Sequence, residues 1–335
     1  MRFRPLCLCV LAGVLLLPDR GLAQVDPSPL IAPVVFHWPQ VQTAWPTLEG
    51  GPIAAGSLRF WRRQLKLFEI AGFTGQLFQV VYAARTAQRN HLQVMRDLRA
   101  ERPDGPLPPR IVPFFAAESF PDYSVQKNVL SPQGFEIFYQ VVRGFFSMYA
   151  EFFPDPGRPG RSNAELLARV DGRILIGLWW VPLTDHNLPG TFFDRLNDRL
   201  EADFGFRAYW SAHDTWQKGN PDDLNYLFNG NEPVQRGRNP THPAVDLLVA
   251  FWPPDPINYR RDDFAPRDGG RTYAAAWDSV IASRPRPEIV LIESYNEISE
   301  GSHLMASWPV DHSPGDGHWT GASDDPRCQY KPCHP

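Results

Sequence analysis

The strongest constraint on how this chain can fold is a rhythm. Seven times along its 335 residues a short apolar, aromatic-rich run is followed by a loop and, in most cases, by a segment of helical period. The runs are "PVVFHWP" (33 to 39), "FTGQLFQVVY" (73 to 82), "RIVPFFA" (110 to 116), "GRILIGLWWVP" (172 to 182), "FRAYWS" (206 to 211), "AVDLLVAFWPP" (244 to 254) and "PEIVLIESYNE" (287 to 297). Such alternation predicts βα units and therefore a parallel sheet, because parallel neighbours need a crossover between them.

The helical segments carry their own signals. In "SLRFWRRQLKLFEIAG" Leu58, Trp61, Leu65 and Phe68 recur at helical spacing and Gly72 stops the pattern. Before the long segment that begins "SPQGFEIF", Ser131 is placed to cap and Pro132 to occupy the first helical position. Seven strands are one short of a closed eight-stranded barrel, and an open doubly wound sheet fits the count equally. Two features favour the barrel. Strand candidates end in polar and aromatic residues ("FHWP", "WWVP", "YWSAHD", "FWPPD", "ESYNE"), as expected where the loops at strand C-termini line a site. No Gly-rich dinucleotide or phosphate loop follows the first strand. The expectation is an α/β protein with one (β/α)₈ TIM-type catalytic domain over residues 24–312, its eighth strand near "HLMASW" (303 to 308) or passed over, and a loop-rich tail over 313–335.

The first 23 residues combine a basic start, an apolar stretch and small residues at Gly21 and Ala23, the pattern of a secretory signal peptide cut after Ala23. The mature protein is then expected to be secreted or periplasmic, with no integral membrane segment. Cleavage removes Cys7 and Cys9 and leaves Cys328 and Cys333, which could close a small terminal loop in an oxidising compartment. A formal net charge of -4 provides no basic field of the kind that neutralises phosphates, which argues against a nucleic-acid partner. Oligomeric state leaves no trace in the sequence.

The segment "ESYNEISEGSHL" (293 to 304) concentrates the chemistry. Strand alternation groups Leu291, Glu293 and Tyr295 on one face. If the chain turns helically after Tyr295, Glu297 and Glu300 stand at i and i+3, with β-carbons about 5 to 6 Å apart. Two carboxyl groups in one cleft suit glycosidic bond cleavage, one protonating the departing oxygen while the other acts as base or nucleophile. Mutual repulsion raises one of the two pKa values, as a general acid requires. Asn296 is placed to bond a sugar hydroxyl or orient Glu297. The plainer reading has Glu293 neutralising an arginine inside the sheet and Glu297 and Glu300 opening a solvated helix.

Trp38, Trp180, Trp210 and Trp252 lie near strand ends, where flat rings can stack on sugars, although any one tryptophan packs as readily in a core. His37, His213, Asp214 and His303 join them as substrate contacts. Asp311, His312, Asp316 and His318 have metal-ligand chemistry, but Asp, Gly and Pro are also what loops are made of, and no metal is assigned. A serine hydrolase lacks its G-x-S-x-G elbow.

The segment "SYNEISEGSHL" resembles the NE-x-x-EG segment of glycoside hydrolase family 99 and related family 71-like barrels, the endo-α-mannosidase-like enzymes and their bacterial relatives. The "VVFHWP" strand, the "WRRQLKLFEIAGF" helix, the "DGRILIGLWW" strand and "FWPPDPINYRR" follow in the matching order. The resemblance implies a TIM barrel that cleaves an α-mannoside without metal or organic cofactor. Glu297 would act as base on the sugar 2-hydroxyl, which attacks the anomeric carbon to form an anhydro sugar. Glu300 would serve as general acid and then base. Two departures stand out: Ile298 where the family carries Trp, and "HLM" where it carries a further acidic residue. They keep open the alternative of a carbohydrate-binding barrel that uses the same cleft without turnover. Expressed with its leader in an exporting host, the mature chain is expected to begin at Gln24, which N-terminal sequencing checks; a retained Met1 would remove the export reading.

Overall fold

The computed structural model describes residues 30–35, 46–47, 51–52, 56–70, 77–81, 85–105, 108–115, 131–157, 162–178, 191–213, 225–226, 234–236, 244–248 and 270–293. In chain order these form β1 (Leu30–Val35), a hairpin of β2 (Pro46–Thr47) and β3 (Gly51–Pro52), α1 (Leu58–Ile70), β4 (Leu77–Val81), α2 (Arg85–Glu101), β5 (Arg110–Phe115) and α3 (Pro132–Phe152). There follow a 3₁₀ turn (Ala164–Leu166), β6 (Arg169–Val170), β7 (Arg173–Leu178), α4 (Phe192–Phe204), β8 (Ala208–His213), β9 (Asn225–Tyr226), β10 (Val234–Arg236), β11 (Ala244–Leu248), α5 (Arg271–Ala282) and β12 (Ile289–Glu293).

The first strand is the centre of the sheet. On one side β1 pairs in parallel with β12, from Leu30 opposite Ile289 to Pro33 opposite Ile292, and on the other with β4, Val34 opposite Gln79. From β4 the sheet runs in parallel through β5, β7, β8 and β9, and from β12 to β11. Antiparallel β10 pairs with β11 and antiparallel β6 with β7. Setting those two and the separate β2–β3 hairpin aside, each parallel neighbour is the next described strand along the chain except where β12 pairs with β1, and β9 lies against β11. All seven sequence runs overlap a parallel strand, although β1 begins three residues before its run and β8 extends two residues past its own. An eighth parallel strand among the described residues is β9, between the runs at 206 to 211 and 244 to 254; two residues are too few to show a period. Residues 303–308, where an eighth strand was expected, lie outside the described residues.

The helices form because apolar residues fall on one side of each. In α3, Phe135, Phe138, Tyr139, Val142, Phe145, Phe146 and Tyr149 are buried, the i, i+3, i+4, i+7 pattern of a core-facing helix. Ser131 Oγ accepts the Gly134 N–H at 2.9 Å and Pro132 occupies the first turn, as the sequence predicts. Each of these aromatic side chains contributes about 1.5–3 kcal/mol through burial. Their rings meet edge to face, Phe115 of β5 on Phe145 of α3 and Phe135 of α3 on Phe192 of α4. The same layer takes Ile174, Ile176 and Leu178 of β7 and Trp61 and Phe68 of α1. A smaller cluster joins Ala276 and Val280 of α5 to Val290 and Ile292 of β12.

Turn chemistry sets where elements begin and end. Asp171 and Gly172, both at positive φ (49° and 74°), make the two-residue hairpin between β6 and β7. Gly205 closes α4 in the left-handed region, its N–H on Glu201 O at 2.9 Å. On the outer surface Arg199 of α4 pairs with Glu136 of α3 at 2.6 Å, which holds that carboxyl well below the usual range. Both partners are well exposed, so the pair adds little stability.

Asn197 matters more. Only 6% exposed, its Oδ1 accepts from Ala208 N at 2.9 Å and from Trp210 Nε1 at 3.3 Å, which ties α4 to the start of β8. Replacing Asn197 by Ala is expected to cost about 3 kcal/mol, because two buried donors lose their acceptor. Urea unfolding measures it as a lower midpoint with unchanged slope.

Candidate functional site

Because the strands from β11 round to β9 run parallel, their C-terminal ends lie along one edge. In the sequence, candidate residues come at or after these strand ends. His37 and Trp38 follow the end of β1, Trp180 follows β7, His213 is the last residue of β8 with Asp214 next, and Trp252 follows β11. Glu293 is the last residue of β12, its backbone opposite Leu248, and Tyr295, Asn296, Glu297, Glu300 and His303 come after it. The segment that bears the glutamate pair thus leaves from a strand with a parallel neighbour on each side, β1 and β11. Backbone groups of such a strand are met from both sides, which makes it a firm base for catalytic side chains.

The two faces of the sheet are sorted. Outward residues alternate with a second set that includes Val112 and Phe114 of β5, Leu175 and Gly177 of β7, Tyr209 and Ser211 of β8, and Ile289 and Leu291 of β12, all buried. At the N-terminal end of this inner face the Arg173 guanidinium sits 4.5 Å over the Tyr209 ring, a cation–π contact. Toward the C-terminal end, Gly177 of β7 stands opposite Ser211 of β8 on one side and Phe114 of β5 on the other. Sequence reasoning missed this row because a Gly and a Ser within apolar runs carry no pattern of their own.

Among the site candidates, Trp210 has a described side chain, and the structure corrects its assignment. It is wholly buried, its ring 5.3 Å from that of Phe193 and its indole N–H on Asn197 of α4. Trp210 belongs to the layer between sheet and helix and has no face for a sugar. Strand alternation is the reason, since it alternates with Tyr209 and Ser211 on the opposite face. The side chains of Glu293 and His213, and the whole of His37, Trp38, Trp180, Asp214, Trp252, Tyr295, Asn296, Glu297, Glu300 and His303, lie outside the described residues. So do Cys328, Cys333 and the acidic and histidine residues of 311–318. Among the described residues no helix is long and apolar enough to cross a membrane, and no three His, Cys, Asp or Glu gather to hold a metal ion.

No family model matches the chain, and no curated protein does. Solved structures match it in fold. The GH99 endo-α-mannosidase from Bacteroides thetaiotaomicron, in complex with bis-tris-propane, matches with a TM-score of 0.55 at 10% identity, over 85% of this chain and 89% of that one. A second structure of GH99 endo-α-mannosidase from that organism matches with 0.53 at 10% identity, over 89% and 94%. A glycoside hydrolase-like protein matches with 0.53 at 11% identity, over 86% and 89%. The chain therefore shares the fold of these glycoside hydrolases across most of its length.

Replacing Trp210 by Phe is expected to cost about 1–3 kcal/mol in urea unfolding, from the lost indole bond and volume, and to leave affinity for any bound sugar unchanged. A selective loss of affinity at full stability would return Trp210 to the cleft.

Proposed function

We propose that this protein is an exported glycoside hydrolase whose sheet closes into a (β/α)₈ barrel with its seam between β9 and β11. Eight parallel strands in unbroken chain order, the last beside the first, support the closure, since a doubly wound sheet needs a reversal of order. So does the fold shared with the GH99 structures. The observation that carries the functional reading is the end of β12, where the glutamate-bearing segment leaves the C-terminal edge of the sheet, the end at which barrels of this kind build their sites.

In this reading Glu300 protonates the departing glycosidic oxygen and afterwards takes a proton from the attacking water. Glu297 removes the proton from the sugar 2-hydroxyl, whose oxygen attacks the anomeric carbon to form an anhydro sugar as the glycosidic bond breaks. It returns that proton to the 2-oxygen when water opens the ring at the anomeric carbon. Close approach of the two carboxyls raises one pKa into the range a general acid needs. Asn296 and Tyr295 orient the pair, and Trp38, Trp180 and Trp252 supply flat faces for sugar rings, with His37, His213, Asp214 and His303 as polar contacts. An α-mannoside is the first substrate to try, because the GH99 structures are of an endo-α-mannosidase. Export follows from the first 23 residues, and a Cys328–Cys333 disulfide would stabilise the tail by about 2 kcal/mol.

The test is turnover of α- and β-linked aryl glycosides and natural glycans, mannans included, by the mature protein and its Glu300→Gln variant. Wild-type cleavage reduced by about 10²–10⁴-fold in the variant, with binding kept, is the expected result. Binding without turnover in both proteins would replace the hydrolase with a carbohydrate-binding barrel.

A further inference from the structure

A concave site lies at the end of the sheet opposite the candidate edge. Where β7 and β8 begin, the ends of α3 and α4, the turn after α3 and the start of β6 surround a cavity of about 260 Å³. That volume is just below the range of ordinary small-molecule pockets and suits one ring-sized group. Phe204 and Phe206 supply its aromatic lining, and Asp155, Ser162, Asn163 and Arg169 its polar groups. Asn163 and Arg169 are exposed and the other four half-buried, so the cavity opens to solvent.

The fold prepares both kinds of lining. Gly205, at φ 77°, ends α4 and turns the chain so that the Phe204 and Phe206 rings stack at 6.1 Å. Phe146 of α3 packs against both, at 5.6 and 4.8 Å, and fixes them. Asp155 Oδ1 accepts the Gly157 N–H at 2.9 Å, and Asn163 Oδ1 accepts the Glu165 N–H at 3.0 Å, which holds the two loops in shape. With its oxygen so used, Asn163 offers amide N–H donors to a ligand, and Arg169, which gives one bond to Gly172 O, has five N–H groups in all. One carboxylate and one guanidinium balance, so the lining favours no ion of either sign. Aromatic surface beside neutral donors and acceptors matches a sugar, whose C–H face is apolar and whose hydroxyls both donate and accept.

The cavity is continued across Phe204 by a shallower groove of about 570 Å³ between α3 and α4, which Arg143, Ser147, Glu151 and Asp203 line. Arg143 is paired there with Asp203 at 2.9 Å. A depression that runs on from a ring-sized cavity fits a chain of sugars better than a single one. We propose that cavity and groove form a second, non-catalytic carbohydrate site that holds a neutral polysaccharide strand. This rests on the carbohydrate reading above and adds to it a site that the cleft does not include. The 21-residue α3 runs between the two ends of the sheet, so the sites stand about 30 Å apart. A short oligosaccharide then occupies each separately, whereas one polymer reaches both and is held more tightly by the second contact.

The experiment measures binding of short oligosaccharides and of neutral polymers of the gluco, manno and galacto series to the mature Glu300→Gln protein, which leaves glycans uncut, and to the same protein carrying Arg169→Gln or Asn163→Asp. Calorimetry gives the number of sites, affinity electrophoresis gives retention by polymer, and thermal unfolding is recorded alongside. Asn163→Asp keeps an acceptor for the Glu165 N–H, which separates ligand contact from folding. The parent is expected to bind oligosaccharides of one series at two sites. Either added substitution should weaken one of them about tenfold and lower retention by the polymer, with the thermal midpoint unchanged in Asn163→Asp. A single site that survives both substitutions, or two sites that neither affects, would overturn the second site and leave the carbohydrate reading standing. A parent that binds no oligosaccharide or polymer would remove the carbohydrate reading, and this inference with it.

Discussion

Everything at the candidate site depends on the parallel pairing of the first strand with the last. β1 has its ladder partners in β12 and β4, and so places the end of the chain's final βα unit beside the beginning of its first. Such a contact between distant parts of the chain incurs the loop-closure entropy of the residues between them. Once made, it turns β12 from an edge strand into an interior one. Glu293 then ends a strand held on both sides.

The two faces of that frame do different work. Outward residues pack with the helices in an aromatic layer, where edge-to-face rings and the Asn197 link fix α4 against β8. Inward residues include Tyr209 under the Arg173 guanidinium and, nearer the C-terminal edge, the row of Phe114, Gly177 and Ser211. The hydrogen bonds of Asn197 and the edge-to-face rings lie on the outer face, while on the inner face Ser211 Oγ is buried without a hydrogen-bond partner.

Trp210 shows how closely the two roles can lie in sequence. "YWSAHD" ends a strand with aromatic and polar residues, the signature of a site-forming end, yet its tryptophan is a core residue while its serine is the group on the inner face. A single residue of alternation separates them. The tryptophan was the conspicuous letter and the serine the inconspicuous one, and only knowing which face meets α4 assigns each to its side.

The amino-acid sequence by itself determined the βα rhythm, the seven longer strands, the Ser131 and Pro132 start of α3, and the position of a glutamate-rich segment after the last strand. These are local properties, set by periodicity and capping that act within a few residues. Only the tertiary structure decided that the last described strand lies beside the first, that the two-residue β9 pairs in parallel with β8, and that Trp210 points to α4 while Ser211 does not. Each of those depends on partners far away in the chain, and the free energy that selects them, from burial and ladder hydrogen bonds, exists only after the elements have come together.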